Sequence, residues 1–349
     1  MPTEIPSKGS VKRAGDILRS TSEDSPAYID ALNVLSSWRS LYADPLNAFN
    51  ALLRKKCTKL GIKDKAIVAR RLKRAPSIIA KLRRFSDMNL SRMQDIGGLR
   101  VIVPTIGDVY RLHSLLLTPR MKTRILTCHD YIKNPKEDGY RSLHQVCRYQ
   151  SKSKFELSKL NLSVEIQIRT QIQHAWATAV EALGVIEKSS FKTGEGEEGV
   201  RRFFVLSSAL LSVLEGQPVI AELRNVPPKQ IVEELEDLQE RFHIFLKLRG
   251  VVSVKKVNVK NAACFVMELD AENRRLKLWG FPYSEMNAAE RFYKYLEIEY
   301  RSNESMEVVL VSVDSLKKVQ RAYPNYFLDC NDFIQQIQSI CEKIKNSQQ

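Results

Sequence analysis

The spacing of apolar residues switches between helical and strand periods along this chain, and that alternation sets the fold class. From residue 27 to about 60 the spacing is helical (Ile29, Leu32, Leu35, Trp38, Leu41, then Leu46, Phe49, Leu52, Leu53), broken at Pro45. A second helical stretch is predicted over 63–85, with Pro76 marking a break or a new helix start. From residue 99 the helical period gives way to four short runs rich in β-branched and apolar residues, 99–103, 123–128, 143–149 and 162–168. These read as strands of one mixed sheet. Helices return over 170–185 and 201–215, around a polar, glycine-containing loop at 188–199. The proline-rich stretch 217–227 reads as a linker. Beyond it come a helix over 230–249, strands at 251–259, 263–269, 275–279 and 306–313, and helices at 287–300 and 332–344. The expectation is an α+β protein: a larger unit, 1–216, with a mixed sheet and flanking helices, and a smaller α+β unit, 228–349. Residues 1–26 are polar and read as a solvated lead-in or an isolated helix.

Charge narrows the choice of partner. The chain carries a formal net charge of +15, yet residues 51–125 alone hold 19 Lys/Arg against 4 Asp/Glu, and the remainder balances. One segment supplies the whole excess, so a polyanion is expected there: nucleotide phosphates, nucleic acid, or both. A solvated basic helix face is the competing reading. No apolar run approaches the roughly 20 residues that a membrane span needs, and the N-terminus lacks the apolar core of a secretory signal. Six scattered cysteines without a CxxC pair fit reduced thiols in a cytoplasmic protein and argue against structural zinc.

Four segments carry chemistry. In the first, Lys73, Ser77 and Lys81 are four apart, which on a helix stacks two ammonium groups and a hydroxyl along one face, suited to polyphosphate oxygens. In the second, Asp95 precedes Gly97-Gly98 and a buried-looking strand containing Arg100; a carboxylate at a strand entrance can take Mg²⁺, or can simply cap a turn. The third, 130–144, combines Lys133, Lys136, Tyr140 and His144 in a glycine-containing loop, where an aromatic ring can stack on a base while cations hold phosphates. The fourth places Glu165, Gln167 and Arg169 on one side of a strand and Val164, Ile166 and Ile168 on the other.

Together these segments resemble the synthetase domain of the RelA/SpoT alarmone enzymes over roughly residues 50–185, through RxKxxxSxxxK, DxxGxR, KxxxGYxSLH and ExQIRT in the family's order. The resemblance implies a nucleotidyltransferase-like sheet and an ATP pyrophosphokinase that moves the β,γ-diphosphate of ATP onto a ribose 3′-hydroxyl with Mg²⁺. It implies Mg²⁺ carboxylates at Asp95 and Glu165, with Glu165 helping to deprotonate the hydroxyl. It assigns the adenine to Arg71 and Arg100 and the ATP phosphates to Lys73, Ser77 and Lys81. The acceptor falls to Lys133, Lys136, Tyr140, His144, Gln167 and Arg169. No His precedes His113, so the family's His-dependent hydrolase is not expected.

The whole layout is similar to the CapRel-type fused toxin–antitoxin members of this family. Supporting segments are SKGSVKRAG at 7–15, Trp38-Arg39, Pro45-Leu46, the 173–181 stretch and Tyr323-Pro-Asn-Tyr326. That likeness implies a C-terminal pseudo-zinc-finger part that restrains the enzyme and senses a phage structural protein. It implies that Tyr323 and Tyr326 reach into the ATP site, whereas without it they read as core aromatics. It also implies a tRNA 3′ CCA end as acceptor, so that translation stops; the alternatives are GDP/GTP as acceptor, or a silent RNA-binding module. The protein is expected to act as a monomer.

Overall fold

The computed structural model describes residues 5–117, 124–150, 155–187, 196–249, 253–260, 262–301, 303, 305–312, 316–327 and 329–346. The helices are α1 (Lys8–Ser20), α2 (Pro26–Ser40), α3 (Ala43–Lys59), α4 (Ala75–Arg84), α5 (Ile106–Leu116), α6 (Phe155–Lys159), α7 (Gln171–Ile186), α8 (Glu198–Leu214), α9 (Pro228–Phe242), α10 (Ile244–Leu248), α11 (Met286–Glu299), α12 (Leu316–Ala322) and α13 (Asn331–Asn346). The strands are β1 (Ile67–Leu72), β2 (Gly97–Val103), β3 (Arg124–Asp130), β4 (Leu143–Arg148), β5 (Ser163–Thr170), β6 (Ser253–Val257), β7 (Cys264–Asp270), β8 (Arg275–Phe281) and β9 (Met306–Ser312). Among the described residues, no helix is long and apolar enough to cross a membrane. Residues 118–123, with part of the expected third strand, and most of the 188–199 loop lie outside those described.

Local chemistry explains four helix starts. Ser7, Ser25 and Thr105 cap α1, α2 and α5 by accepting the backbone N–H three residues on. Thr170 and Gln173 form a reciprocal capping box at α7. Of the two readings of residues 1–26, the helix is found, but as α1 it is packed and not isolated: its Val11, Ala14, Gly15 and Leu18 are buried. The long helix expected over 230–249 breaks at His243, which adopts a left-handed φ of 50° between α9 and α10.

A second correction concerns the basic row. Residues 67–72 form strand β1, not helix, and α4 begins only at Ala75, so Lys73 lies in the turn before the helix that carries Ser77 and Lys81. Two features decide this. The run from Ile67 to Leu72 pairs residue for residue with β2 (Ile67 opposite Ile102, Leu72 opposite Gly97), and Pro76 fits only the first turn of a helix.

The nine strands form one sheet in the order β3-β4-β5-β2-β1-β9-β7-β8-β6. The pairs β2–β5 and β6–β8 are parallel and the remainder antiparallel. Strands from before and after 217–227 therefore share a sheet, joined where β1 meets β9 (Arg70 opposite Ser312, Arg71 opposite Val311). On one face Leu99, Val101, Val103, Val164, Ile166 and Ile168 pack into a core with α1–α5. On the other face Ala69 and Ile102 pack with Phe265, Met267, Val311, Val319, Tyr323 and Tyr326. A third core is helical and again mixes early and late residues: Trp176, Phe203 and Phe204 with Leu235, Phe333 and Ile337.

Phe333 is fully buried, with its ring centroid 6.4 Å from Phe203 and 6.0 Å from Phe204. Phe333→Ala is expected to cost about 3–5 kcal/mol. In a denaturant titration, the α7–α8 region is expected to unfold at a lower midpoint even though the substitution lies in α13.

Candidate active site

Cross-strand neighbours point the same way, and the register gathers the polar side chains on one face. Arg71 stands opposite Gly98, Gly98 opposite Glu165, Arg100 opposite Gln167, and His144 opposite Gln167. Gly98, the only one of these without a side chain, leaves the space between Arg71 and Glu165 open. The resulting cavity of about 400 Å³ is lined by Arg71, Lys73, Asp95, Arg100, Lys136, Tyr140, His144, Glu165, Gln167, Arg169 and Tyr323, together with Gly98, Leu99, Asp138 and Glu181.

Asp95 sits at its floor. Lys73 Nζ and Lys81 Nζ each approach Asp95 Oδ2 at 2.9 Å. Lys73 comes from the turn and Lys81 from α4, so the two meet at one oxygen although they do not share a helix face. Burial pushes the Asp95 carboxyl up, and the two ammonium groups outweigh it, so its pKa lies below the usual value. The second oxygen, Asp95 Oδ1, is buried without a hydrogen-bond partner. A carboxylate oxygen left open in this way is what a cation ligand requires.

Glu165 is held from both sides. His144 Nδ1 lies 3.0 Å from Glu165 Oε1, and Gln167 Nε2 donates to Oε2 at 2.8 Å. Arg169 Nη2 donates to Gln167 Oε1 at 2.9 Å, and Tyr140 Oη lies 2.8 Å from His144 Nε2. A continuous chain thus runs from Arg169 through Gln167, Glu165 and His144 to Tyr140. Burial raises the Glu165 pKa, but the His144 and Gln167 hydrogen bonds prevail and lower it. Burial, with the like charge of Arg100, depresses Arg169 to about 10.

His174 is neutral, its pKa pushed well below the usual value by burial and by Arg100 and Arg169. It therefore donates Nε2–H to the Arg321 carbonyl at 2.9 Å. Burial raises the Tyr140 phenol, which remains protonated at neutral pH.

Segment 321–326 closes one side of the cavity. Arg100 donates from Nη1 to the Ala322 carbonyl at 2.8 Å, and its guanidinium lies over the Tyr323 ring, 5.2 Å from the centroid. Tyr323 Oη donates to the Arg70 carbonyl at 3.3 Å. Tyr326 is buried beside Tyr323, with ring centroids 6.4 Å apart, and does not line the cavity.

Three other expected site residues also lie outside the lining. Ser77 sits in the first turn of α4, Lys81 reaches Asp95 from the same helix, and exposed Lys133 rests over the Tyr110 ring at 5.1 Å. Lys136, by contrast, covers both Tyr131 and Tyr140, at 4.7 and 5.4 Å. Sequence reasoning missed Glu181 and Tyr131. Glu181 is the only acidic residue in α7, and that was its available signal. Tyr131 gave none beyond being aromatic in a basic loop.

Among the described residues, no group of three or more His, Cys, Asp or Glu is placed to hold a metal ion. A divalent cation here would rely on two carboxylates and on ligand oxygens, as Mg²⁺ bound with polyphosphate usually does. The free Asp95 Oδ1 and the proximity of Glu165, which feels the Asp95 charge, fit that donor set.

Residues 70–194 match the family model described as "Region found in RelA / SpoT proteins". The GTP pyrophosphokinase YjbM of Bacillus subtilis (strain 168) is 36% identical over 118 residues, 33% of this chain and 54% of the relative. The GTP pyrophosphokinase YwaC of the same organism is 34% identical over 113 residues, 31% of this chain and 52% of the relative. The chain thus spans about half the length of these curated relatives. Among solved structures, the small alarmone synthetase 1 from Bacillus subtilis bound to its product pppGpp is 30% identical, with a TM-score of 0.43, covering 50% of this chain and 90% of that one.

The lowered carboxylate values fix a sign. Asp95 and Glu165 contribute stability that is fully present above their ordinary range of about 4 and is lost as pH falls through the lower folded values. Asp95→Asn is therefore expected to flatten the loss of thermal midpoint between about pH 5 and about pH 3, followed by circular dichroism.

Proposed function

From a chain whose residues 70–194 form a RelA/SpoT region, we propose a pyrophosphokinase that transfers the β,γ-diphosphate of ATP to a ribose 3′-hydroxyl. The observation that carries this reading is Asp95: one oxygen is locked between Lys73 and Lys81, and the other is buried and unpartnered, in a cavity shared with Glu165, Arg71 and Arg100.

In this reading the adenine stacks against Arg71 and Arg100, and Lys73, Lys81 and Ser77 hold the phosphates. The acceptor base lies on Tyr140, with Lys136 beside it and the His144–Gln167–Arg169 network behind; Lys133 meets the acceptor at the rim. Asp95 and Glu165 would hold Mg²⁺, which when bound neutralises polyphosphate charge. The ribose oxygen attacks the β-phosphorus, the bond to the α,β-bridging oxygen breaks, and AMP leaves. Glu165, ionised at neutral pH, takes the hydroxyl proton as the new bond forms. The surrounding cations compensate charge on the non-bridging oxygens.

For the acceptor, we read the tRNA 3′ CCA end, supported by the basic residues left over once the cavity is built. Lys55, Lys59, Lys63, Lys65, Arg83 and Arg92 are exposed and belong to the segment that carries the whole charge excess. The names of the relatives favour a second acceptor, a guanosine nucleotide.

Restraint by the C-terminal part belongs to the same proposal. Tyr323 occupies one wall of the cavity, and its ring takes the Arg100 guanidinium that an adenine would use. A tethered competitor needs little intrinsic affinity. Tyr326 supports it from the core, and a phage structural protein binding the 228–349 part is the trigger in this reading.

The full chain, incubated with γ-³²P-ATP and Mg²⁺ plus either tRNA or GDP/GTP, is expected to label tRNA. Asp95→Asn is expected to lower labelling by at least a hundredfold, and Tyr323→Ala to raise it several-fold. Label on guanosine nucleotides alone selects the second acceptor. Label on neither, including in Tyr323→Ala, overturns the transferase reading in favour of a silent RNA-binding module.

A further inference from the structure

The turn at residues 73–74, between β1 and α4, carries Lys73 to Asp95, yet its sequence does little to hold it. Arg74 occupies the N-cap of α4 and makes no side-chain cap, and Pro76 supplies no N–H. The missing acceptor comes from 222 residues away: Glu297 Oε1 of α11 accepts the Ala75 N–H at 3.1 Å. A carboxylate there also complements the positive end of the helix dipole.

Glu297 is itself fixed on the sheet face opposite the cavity. Arg39 Nη1 donates to Glu297 Oε2 at 2.8 Å, Nη2 to Tyr293 Oη at 2.8 Å, and Nε to the Lys73 carbonyl at 3.0 Å. Tyr293 Oη donates in turn to Glu297 Oε1. Arg39, Tyr293 and Glu297 are 3%, 2% and 10% exposed. Beside them Arg74 pairs with Glu307 of β9 at 3.2 Å. Within the turn, the Lys73 N–H donates to the Ile96 carbonyl at 2.8 Å. Both sides of the turn are thus held, one by the Asp95 segment and one by α2, α11 and β9.

We propose that Arg39, Tyr293 and Glu297 form a buried clamp by which α11 holds the 73–74 turn and the first residue of α4 in their ligand-binding shape, so that these are positioning residues for Lys73. The assignment of that turn to ATP rests on the function proposed above. The clamp gives the C-terminal part a role opposite in sign to that of Tyr323. One contact of the 228–349 part covers the cavity, and another builds it. Loosening α11 therefore weakens nucleotide binding where loosening Tyr323 strengthens it.

The test uses the full chain and two readouts. One is the dissociation constant of a non-hydrolysable ATP analogue. The other is hydrogen exchange in peptides spanning residues 73–80, which needs no ligand. Glu297→Gln is expected to weaken analogue binding about tenfold and to speed exchange in those peptides by a similar factor, as follows from losing a charged, buried partner. KM for ATP is expected to rise more than kcat falls. Glu299→Gln, on the exposed side of α11, is expected to change none of these. Tyr293→Phe keeps the ring packing and serves if Glu297→Gln does not fold; its expected effect is about threefold in the same direction.

Wild-type exchange and wild-type affinity in a folded clamp variant overturn the proposal, as do equal effects from Glu299→Gln. If the wild-type chain binds no ATP analogue, the functional reading has failed. The exchange measurement then decides the clamp by itself.

Discussion

Two residue pairs hold the molecule's plan together. Where β1 meets β9, Arg70 stands opposite Ser312 and Arg71 opposite Val311. Because side chains alternate along a strand, this junction sends Arg71 into the cavity and Arg70 to the opposite face. It brings β9 beside β1, and with it Glu307 to Arg74. It also lets α12 and Tyr323 lie across Arg100, while α11 reaches under the same strand from behind. A slip of one residue in this register would exchange the two faces and take the cavity apart.

The electrostatics follow from that geometry. Arg71, Lys73, Arg100, Lys136 and Arg169 share a space with Asp95, Asp138, Glu165 and Glu181. Each ordered pair reduces the cost of burying the next charge, and the chain from Arg169 to Tyr140 shows how completely Glu165 is satisfied. Asp95 is the exception, with one oxygen saturated and one bare. The asymmetry distinguishes two single acidic residues: Glu165, within β5, has both oxygens hydrogen-bonded, and Asp95, two residues before β2, has one oxygen without a partner.

Much of this could be read from the chain, and the failures have physical causes. The alternation of Val164, Ile166 and Ile168 with Glu165, Gln167 and Arg169 placed β5 and its polar face, because the signal is local. Thr170 and Gln173 mark the start of α7 for the same reason. Strand β1 was misread as helix because Lys73, Ser77 and Lys81 happen to be four apart, while the pairing that makes 67–72 a strand depends on β2 and β9. No local pattern announces a partner more than 200 residues away, so the single continuous sheet was invisible, as was the contact of Glu297 with Ala75. The packing of helix α1 was not legible because its buried face is narrow: Val11, Ala14, Gly15 and Leu18 among charged residues.

The shared sheet also bears on how such a chain ages. The stretch 217–227 joins the two sequence halves and offers proteases a proline-punctuated target. Cutting it would sever one covalent link and little else. The β1–β9 pairing, the aromatic cluster around Phe333 and the Arg39–Glu297 pair would all still bridge the cut. A nicked molecule would migrate as two fragments in denaturant yet remain one particle in buffer. Separating the two halves would require breaking those non-covalent contacts as well as the chain.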